Sequence, residues 1–258
     1  MHTFPNGLKQ PQGSMRFALD ALLLPCFVRE TLARHPAMPK NPLRNQAFGL
    51  ESRGLFAAAD LGCGCGASSL GLCLLLEKAK VLGVDRERQL VDCALENGAL
   101  LGLSKRSTFF CHDLVERMPY TRPLCDIVLM NPPYWEAGSG LVSDKALNEG
   151  ARRGHDSLEL FFRAARELLV HHGRLFVIYP AQRLSHLVSC LKSGGFGLRT
   201  LKVMRPFANR EATRVLCEAK KDAKADCVIL PDLVLYERDA QGTQKATDSA
   251  HAFCPWLR

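Results

Sequence analysis

Between residues 55 and 195, short apolar runs alternate with stretches of helical periodicity, and this alternation limits the fold more than any other feature. We predict strands over 55–61, 80–85, 107–113, 125–131 and 174–179, and helices over 68–78, 87–101, 155–171 and 182–192. Strands that alternate with helices form an open, mostly parallel sheet with helices on both faces. The sequence therefore predicts an α/β protein built on a doubly wound sheet.

The segments on either side of this pattern predict additions to the same sheet. Residues 17–30 are apolar at helical spacing, whereas 34–54 contain three prolines and are typical of a loop insertion. Residues 198–206 and 213–219 predict a C-terminal antiparallel hairpin at one edge, which gives seven strands in all. We expect one domain, divided as follows: a cap segment over 1–54, a sheet domain over 55–221 and a C-terminal extension over 222–258.

Composition narrows the class of protein and its partners. The formal charge of +8 fits an anionic partner such as a nucleic acid, although ordinary surface charge explains it equally well. The 11 cysteines contain no CxxC pair, which argues against a disulfide framework and against a structural zinc site. No apolar run reaches the roughly 20 residues of a membrane span. We therefore expect a cytoplasmic protein with reduced thiols, without a metal and without a membrane partner; no oligomeric state follows from the sequence.

A glycine-rich turn follows the first predicted strand. Gly62, Gly64 and Gly66 occupy alternate positions after Asp60, and a predicted helix begins directly behind them. Glycine adopts positive φ without strain and lets a ligand approach the backbone closely. Ligands of doubly wound sheets lie at the carboxyl ends of the strands. We interpret this turn as a ligand-binding turn, and its GxGxG spacing differs from the GxGxxG of dinucleotide-binding proteins.

Asp60 and these three glycines resemble motif I of the class I S-adenosylmethionine-dependent methyltransferases. The resemblance implies their Rossmann-like fold, that cofactor, contacts from the three glycines to it, and a place for Asp60 near its methionine end. It further implies that Asp85, at the end of the second strand, accepts the ribose hydroxyls and that Asp113 binds the adenine amino group. A single aspartate at a strand end is just as often a cap of the next helix. Three such acids behind a GxGxG turn favour the cofactor site.

The fourth predicted strand ends in Asn131-Pro132-Pro133-Tyr134. This turn resembles motif IV of methyltransferases that act on planar nitrogens, namely the amino groups of adenine, cytosine or guanine and the amide of glutamine. The lone pair of such a nitrogen is delocalised, so the nitrogen is a weak nucleophile. The Asn131 side-chain oxygen and the Pro132 carbonyl can accept its N–H groups, and both bonds strengthen as positive charge develops. We predict that Asn131, Pro132 and Tyr134 are catalytic, that Tyr134 stacks on the flat group, and that Asn131 also borders the cofactor.

Further segments resemble the bacterial tRNA adenine-N6-methyltransferases, so that the resemblance covers nearly the whole chain. Arg16 and Phe17 precede a leucine-rich helix, in a segment that covers the cofactor's methionine end in that family. The resemblance implies a tRNA adenine as the target, and basic and aromatic residues are expected to hold it. These substrate-binding candidates are Pro133, Tyr134, Trp135, Lys145, Arg152, Arg153, Arg205 and Arg210. The 34–54 insertion departs from the family pattern.

Other functions stay open beside the tRNA adenine reading. Release-factor glutamine methyltransferases share both motifs, but they normally carry a helical domain before motif I, for which 54 residues leave little room. Guanine-N2 methyltransferases more often have Phe after the two prolines. A non-catalytic cofactor- or RNA-binding protein on the same scaffold is the alternative of another class. The intact Asn131, Tyr134 and acidic residues disfavour that last alternative.

Overall fold

The structure is a computed structural model of the 258-residue chain, and it describes residues 4–11, 18–38, 56–120, 123–133, 157–239 and 241–257. Its helices are α1 Asp20–Arg34, α2 Ala67–Leu75, α3 Arg88–Leu100, α4 Ser157–Leu168, α5 Leu184–Ser193 and α6 Asp248–Phe253. Its strands are β1 Phe56–Leu61, β2 Ala79–Asp85, β3 Ser107–Cys111, β4 Cys125–Met130, β5 Leu169–Pro180, β6 Phe196–Arg205, β7 Arg214–Lys221, β8 Val228–Val234, β9 Tyr236–Arg238 and β10 Gln244–Ala246.

Eight of the described strands form one sheet in the order β3-β2-β1-β4-β5-β7-β6-β8. The strands β3, β2, β1, β4 and β5 are parallel to one another, whereas β7 is antiparallel to both β5 and β6. Parallel neighbours need crossover connections, and the helices between these strands provide them. The predicted mostly parallel sheet and its β6–β7 hairpin are confirmed, but the hairpin does not form the edge of the sheet, because β8 pairs with β6 on its outer side. The strands β9 and β10 form a second, smaller antiparallel hairpin.

Two apolar layers cover the two faces of the sheet. The central strands β1 and β4 are buried at every position, as expected of strands covered on both sides. Ala58 and Ile127 face the layer that contains α1, α2, α3 and α6, whereas Ala59 and Val128 face the layer formed with α4 and α5. This alternation with a period of two residues holds the strand ends at one fixed edge of the sheet.

Two predictions from the sequence are wrong in detail. The sheet has eight strands rather than seven, because residues 228–234 pair with β6 although they contain Pro231. A proline is tolerated at this position because β8 is an edge strand of the sheet. The helix predicted over 155–171 ends at Leu168, and β5 begins directly at Leu169. Apolar periodicity did not mark this boundary, because the end of α4 and the start of β5 are both buried.

Helix α1 is fixed at both ends by polar contacts to distant parts of the chain. Asp20, in its first turn, accepts a hydrogen bond from Nε of Arg214 at 2.7 Å. Near its other end, Arg29 donates to the carbonyl oxygen of Phe253 at 2.7 Å. The cap segment thus contacts both the sheet domain and the C-terminal extension, and the three-part division of the chain stays a prediction.

Three further observations bear on the class of protein. All eleven cysteines are free thiols. Among the residues that the structure describes, no group of three or more His, Cys, Asp or Glu side chains is arranged to hold a metal ion. Within the same residues, no helix has both the length and the apolar character that a membrane crossing requires.

Candidate functional site

The first four strands deliver their following residues to one edge of the sheet. In the register of the parallel strands, Leu61 lies between Val84 of β2 and Met130 of β4. The residues that follow these three, namely the glycine turn, Asp85 and Asn131, therefore emerge side by side. The structure thus brings together the two motifs that lie 70 residues apart in the sequence.

The glycine turn combines left-handed backbone with one open face. Gly62, Gly64 and Gly66 have φ of +69°, +55° and +87°. A Cβ atom built on Gly62 would lie 3.1 Å from the ring of Phe161, and one built on Gly66 would lie 3.1 Å from the ring of Phe109. A Cβ on Gly64, in contrast, would meet no described atom within 4 Å. Gly64 is therefore the position where a ligand can approach the backbone.

Asp85 is oriented by the backbone at the end of β2. Its Oδ2 accepts the N–H of Gly64 at 2.8 Å, and its Oδ1 accepts the N–H of Glu87 at 3.0 Å. Each carboxylate oxygen can accept a second hydrogen bond, because it has two lone pairs. The side chain is thus held in one orientation and keeps acceptor capacity for hydroxyl groups of a ligand.

Asp60 is buried, with 2% of its surface exposed. Burial raises the pKa of its carboxyl to about 7, and the nearby charge of Asp85 adds to this rise. The hydroxyl of Ser69 donates to Oδ2 of Asp60 at 2.6 Å and opposes the rise of this pKa. A carboxyl whose pKa is near 7 is partly ionised at neutral pH, and a cationic ligand group beside it would favour the ionised form.

Asp113 follows β3 and stabilises a local turn. Its Oδ1 accepts the N–H of Val115 at 2.9 Å, and its backbone carbonyl accepts the N–H of Glu116 at 3.0 Å. This is the turn-forming role that aspartate commonly plays after a strand. The predicted contact between Asp113 and the adenine of a cofactor stays a prediction.

Asn131 carries a buried acceptor at the end of β4. Its Oδ1 is inaccessible to solvent and has no hydrogen-bond partner among the residues that the structure describes. A buried polar atom without a partner costs about 1–3 kcal/mol, so an external N–H donor at this point would be stabilising. The next residue, Pro132, is buried, and Pro133 is exposed. Each proline fixes its own φ and so restricts the backbone of this turn.

The remaining predicted residues divide into two groups. Five ranges or residues lie outside the described part of the chain: Arg16 and Phe17, Tyr134 and Trp135, Lys145, Arg152, and Arg153. Arg205, the last residue of β6, and Arg210, on the loop between β6 and β7, lie at the carboxyl edge. Nε of Arg205 pairs with Asp232 at 2.6 Å, so Arg205 braces this loop. Arg210 is exposed, and its guanidinium has no ion-pair partner within the described ranges.

Two residues that shape the site, Ser69 and Phe161, were not predicted from the sequence. Ser69 adjusts the acidity of Asp60 from the first turn of α2. The signal in the sequence was a polar residue within a mostly apolar helical segment. The structure buries residues 67–73 of this helix, including Ser69. Phe161 packs against the glycine turn from α4, and nothing in the sequence pairs it with residues about 100 positions earlier.

Comparison with known proteins places this site in a family. The family model described as "Methyltransferase small domain" matches residues 50–192, which is more than half of the chain. The chain therefore belongs to the methyltransferase small domain family, which is a family of S-adenosylmethionine-dependent methyltransferases. A solved structure with the same fold is a predicted O-methyltransferase from Agrobacterium tumefaciens, with a TM-score of 0.65, 22% identity, and coverage of 92% of this chain and 95% of the other.

Within this family, the curated relatives are of two kinds. The release factor glutamine methyltransferase of Bacillus cereus is 32% identical over 115 residues, which are 43% of this chain and 40% of the relative. The tRNA1(Val) (adenine(37)-N6)-methyltransferase of Porphyromonas gingivalis is 26% identical over 162 residues, which are 62% of this chain and 63% of the relative. The chain thus spans about two fifths to three fifths of the length of these relatives.

The residues at the carboxyl edge fit the cofactor of this family. Gly64 leaves open space above the turn, and Asp85 presents a fixed carboxylate beside it. Asp60 supplies a buried carboxyl that a cation would ionise. S-adenosylmethionine carries the matching groups, namely two ribose hydroxyls and two cationic centres.

Proposed function

We propose that this chain is an N-methyltransferase that uses S-adenosylmethionine to methylate the exocyclic amino group, N6, of an adenine in tRNA. The observation that carries the proposal is the buried Oδ1 of Asn131, which lacks a hydrogen-bond partner among the described residues. It lies beside the glycine turn, at the end of the neighbouring strand. An acceptor in this position suits a nitrogen that carries N–H groups.

Four residues are proposed to hold the cofactor. Gly64 provides close access to the backbone, Asp85 accepts the ribose hydroxyls, Asp60 faces the cationic methionine end, and Asp113 borders the adenine. When bound, S-adenosylmethionine supplies an electrophilic methyl group. In the proposed three-part division, these residues belong to the catalytic domain over 55–221.

Asn131 and Pro132 are proposed to bind and activate the target amino group. The Asn131 Oδ1 and the Pro132 carbonyl each accept one N–H of the amino group, which orients the nitrogen and withdraws its hydrogens from the ring plane. Both bonds become stronger as positive charge develops on this nitrogen, so they stabilise the transition state more than the ground state. Tyr134 is proposed to stack on the adenine ring after the base has left its own stack.

Two observations support tRNA as the substrate, and one supports the alternative. Relatives in Porphyromonas gingivalis and Vibrio campbellii act on tRNA1(Val) adenine, and their matches cover 62% and 64% of this chain. The formal charge of +8 is complementary to RNA. The glutamine of a release factor is the second candidate, because the Bacillus cereus relative has the higher identity, although over fewer residues. Both substrates present a planar nitrogen to Asn131.

Two methylation assays with labelled S-adenosylmethionine test the proposal. One contains unmodified total tRNA, and the other contains purified release factors. N6-methyladenosine in the tRNA nucleosides supports the proposal, whereas label only in a release factor overturns it in favour of the alternative. Asn131→Ala should lower kcat by about 10²–10³, the magnitude found when one hydrogen-bonding group that stabilises a transition state is removed, and should weaken binding of S-adenosylhomocysteine far less. Gln244→Ala, an exposed amide on β10, is the matched control and should not alter kcat. Equal activity of Asn131→Ala and the control contradicts the role of Asn131.

A further inference from the structure

Two half-exposed aromatic rings lie together beyond the carboxyl end of β6. Phe207, on the loop between β6 and β7, has its ring centroid 6.2 Å from that of Tyr236. The guanidinium carbon of Arg238 lies 5.3 Å from the centroid of the Phe207 ring. Arg210 follows three residues after Phe207 and is exposed. We refer to Phe207, Arg210, Tyr236 and Arg238 together as the aromatic–arginine surface.

The backbone around this surface is braced. The N–H of Tyr236 donates to the carbonyl of Pro206 at 2.9 Å, which joins the start of β9 to the loop. The N–H of Arg210 donates to the carbonyl of Phe207 at 3.0 Å, which closes a turn within the loop. Arg205 Nη1 donates to the carbonyl of Arg210 at 2.9 Å. The rings and guanidinium groups are therefore presented on a fixed frame.

The cations of this region fall into two kinds. Arg205, Arg214 and Lys245 each lie within 3.0 Å of a carboxylate, that of Asp232, Asp20 and Glu237 respectively. In contrast, Arg210 and Arg238 have no carboxylate partner among the described residues. A guanidinium without a carboxylate partner next to an aromatic ring can bind a phosphate and stack on a base. Of these two cations, Arg238 lies beside the Phe207 ring, and Arg210 closes the backbone turn that begins at Phe207.

The surface lies on the same edge of the sheet as Asn131. Three strand steps, from β4 through β5 and β7, separate β4 from β6, which corresponds to about 14 Å across the sheet. The strand register shows that β6 also continues about 13 Å beyond the end of β4. The surface therefore lies to the side of the site and beyond the end of β4. An extended single strand of roughly two or three nucleotides would span this distance.

We infer that the aromatic–arginine surface docks the single-stranded RNA that flanks the target adenine, an inference that rests on the proposed function. Arg210 and Arg238 contact backbone phosphates, and a flanking base stacks on the exposed part of the Phe207–Tyr236 pair. Glu211 is exposed next to Arg210 and opposes this contact by charge. A protein substrate would have no use for paired phosphate and base contacts, so RNA is the partner that this chemistry fits.

The test compares variants of the full chain in methylation of tRNA and in binding of unmodified tRNA by fluorescence anisotropy. Arg210→Gln combined with Arg238→Gln should raise KM for tRNA roughly tenfold, leave kcat unchanged, and reduce the slope of log K against log salt by about 1.4, since each lost contact to a single strand removes about 0.7. Phe207→Leu keeps the apolar volume, removes the stacking face, and should raise KM several-fold with little change in the salt slope. Glu211→Gln should tighten binding. Arg199→Gln, on β6 but towards the opposite edge, is the matched control.

The outcomes distinguish a failure of the RNA-docking inference from a failure of the proposed function. If the wild type methylates tRNA and the double variant retains its KM and salt slope, the surface is overturned and the proposed function stands. If the wild type methylates no RNA, the proposed function fails, and unchanged RNA binding by the double variant then overturns the surface too. A change of KM for a release factor, without any change for tRNA, also overturns it. Thermal unfolding of each variant verifies that the fold is intact.

Discussion

Alanine at two neighbouring positions of the glycine turn should separate ligand binding from stability. Gly64 and Gly66 both have left-handed backbone, with φ of +55° and +87°. An L-residue in this conformation costs about 1–2 kcal/mol at either position. The two sites differ in what the new methyl group meets: no described atom within 4 Å at Gly64, but the Phe109 ring at 3.1 Å and Cβ of Ala94 at 3.2 Å at Gly66.

The magnitudes follow from this difference. Gly64→Ala carries only the backbone cost, about 1.5 kcal/mol as a central value. Gly66→Ala adds overpacking of about 1–3 kcal/mol, so its total is about 3.5 kcal/mol. For a chain of this size each kcal/mol lowers Tm by roughly 2–4 °C. We therefore expect a decrease of about 4 °C for Gly64→Ala and about 10 °C for Gly66→Ala.

Ligand affinity should change in the opposite order. The methyl group of Gly64→Ala enters the open space beside the turn, where the cofactor is proposed to approach the backbone, so binding of S-adenosylhomocysteine should weaken at least tenfold, on the order of 1.4 kcal/mol. The methyl group of Gly66→Ala points into the protein, so its affinity should stay within about threefold of the wild type at 15 °C, or less than roughly 0.7 kcal/mol. Differential scanning calorimetry and isothermal titration calorimetry measure the two quantities. Wild-type affinity of Gly64→Ala, or wild-type Tm of Gly66→Ala, would refute this reasoning.

Two further predictions concern buried charges. Because the pKa of Asp60 is raised to about 7 and a cation prefers its ionised form, affinity for S-adenosylmethionine should rise with pH and be roughly tenfold weaker at pH 6 than at pH 8; a pH series of titrations checks this, and Asp60→Asn should flatten the profile. The carboxylate of Glu218 accepts Nε of buried Arg174 at 2.7 Å and the hydroxyl of Thr200 at 2.7 Å. Glu218→Ala leaves the guanidinium without this partner and should lower the free energy of unfolding by about 3–5 kcal/mol, whereas Thr200→Val should cost only about 1 kcal/mol in urea denaturation; equal effects of the two would contradict an ion-pair role.

The local pattern of apolar, glycine and proline residues was sufficient to predict most of the fold and the position of the site. Apolar runs marked β1 and β4, because a strand buried on both faces leaves a continuous apolar signal. The glycine turn and the NPPY turn marked the carboxyl edge, because both use residues with unusual backbone behaviour. Signals of this kind are local, and therefore they can be read without knowing the tertiary structure.

Properties that depend on distant neighbours could not be predicted from the sequence. A proline such as Pro231 disfavours a strand inside a sheet, and only its place at the sheet edge makes β8 possible. Arg205 was predicted to bind the substrate, but Asp232, 27 residues later, holds its guanidinium in an ion pair. The raised pKa of Asp60 results from burial by elements that lie on both sides of β1. The sequence contains the residues but not their pairing.

The polar contacts of α1 can form only late in the synthesis of the protein. Arg29 donates to a carbonyl that follows 224 residues later, and Asp20 binds a side chain that follows 194 residues later, so the helix is synthesised before either partner. At about 5–20 residues per second, the ribosome delivers the later partner roughly 10–45 s after the helix. Throughout this interval the apolar side of α1, with Leu23, Leu24 and Phe27, lacks part of its final cover. The packing around α1 is therefore complete only after the residues of α6 have been synthesised, and until then this helix exposes apolar surface of the kind that makes folding intermediates prone to aggregation.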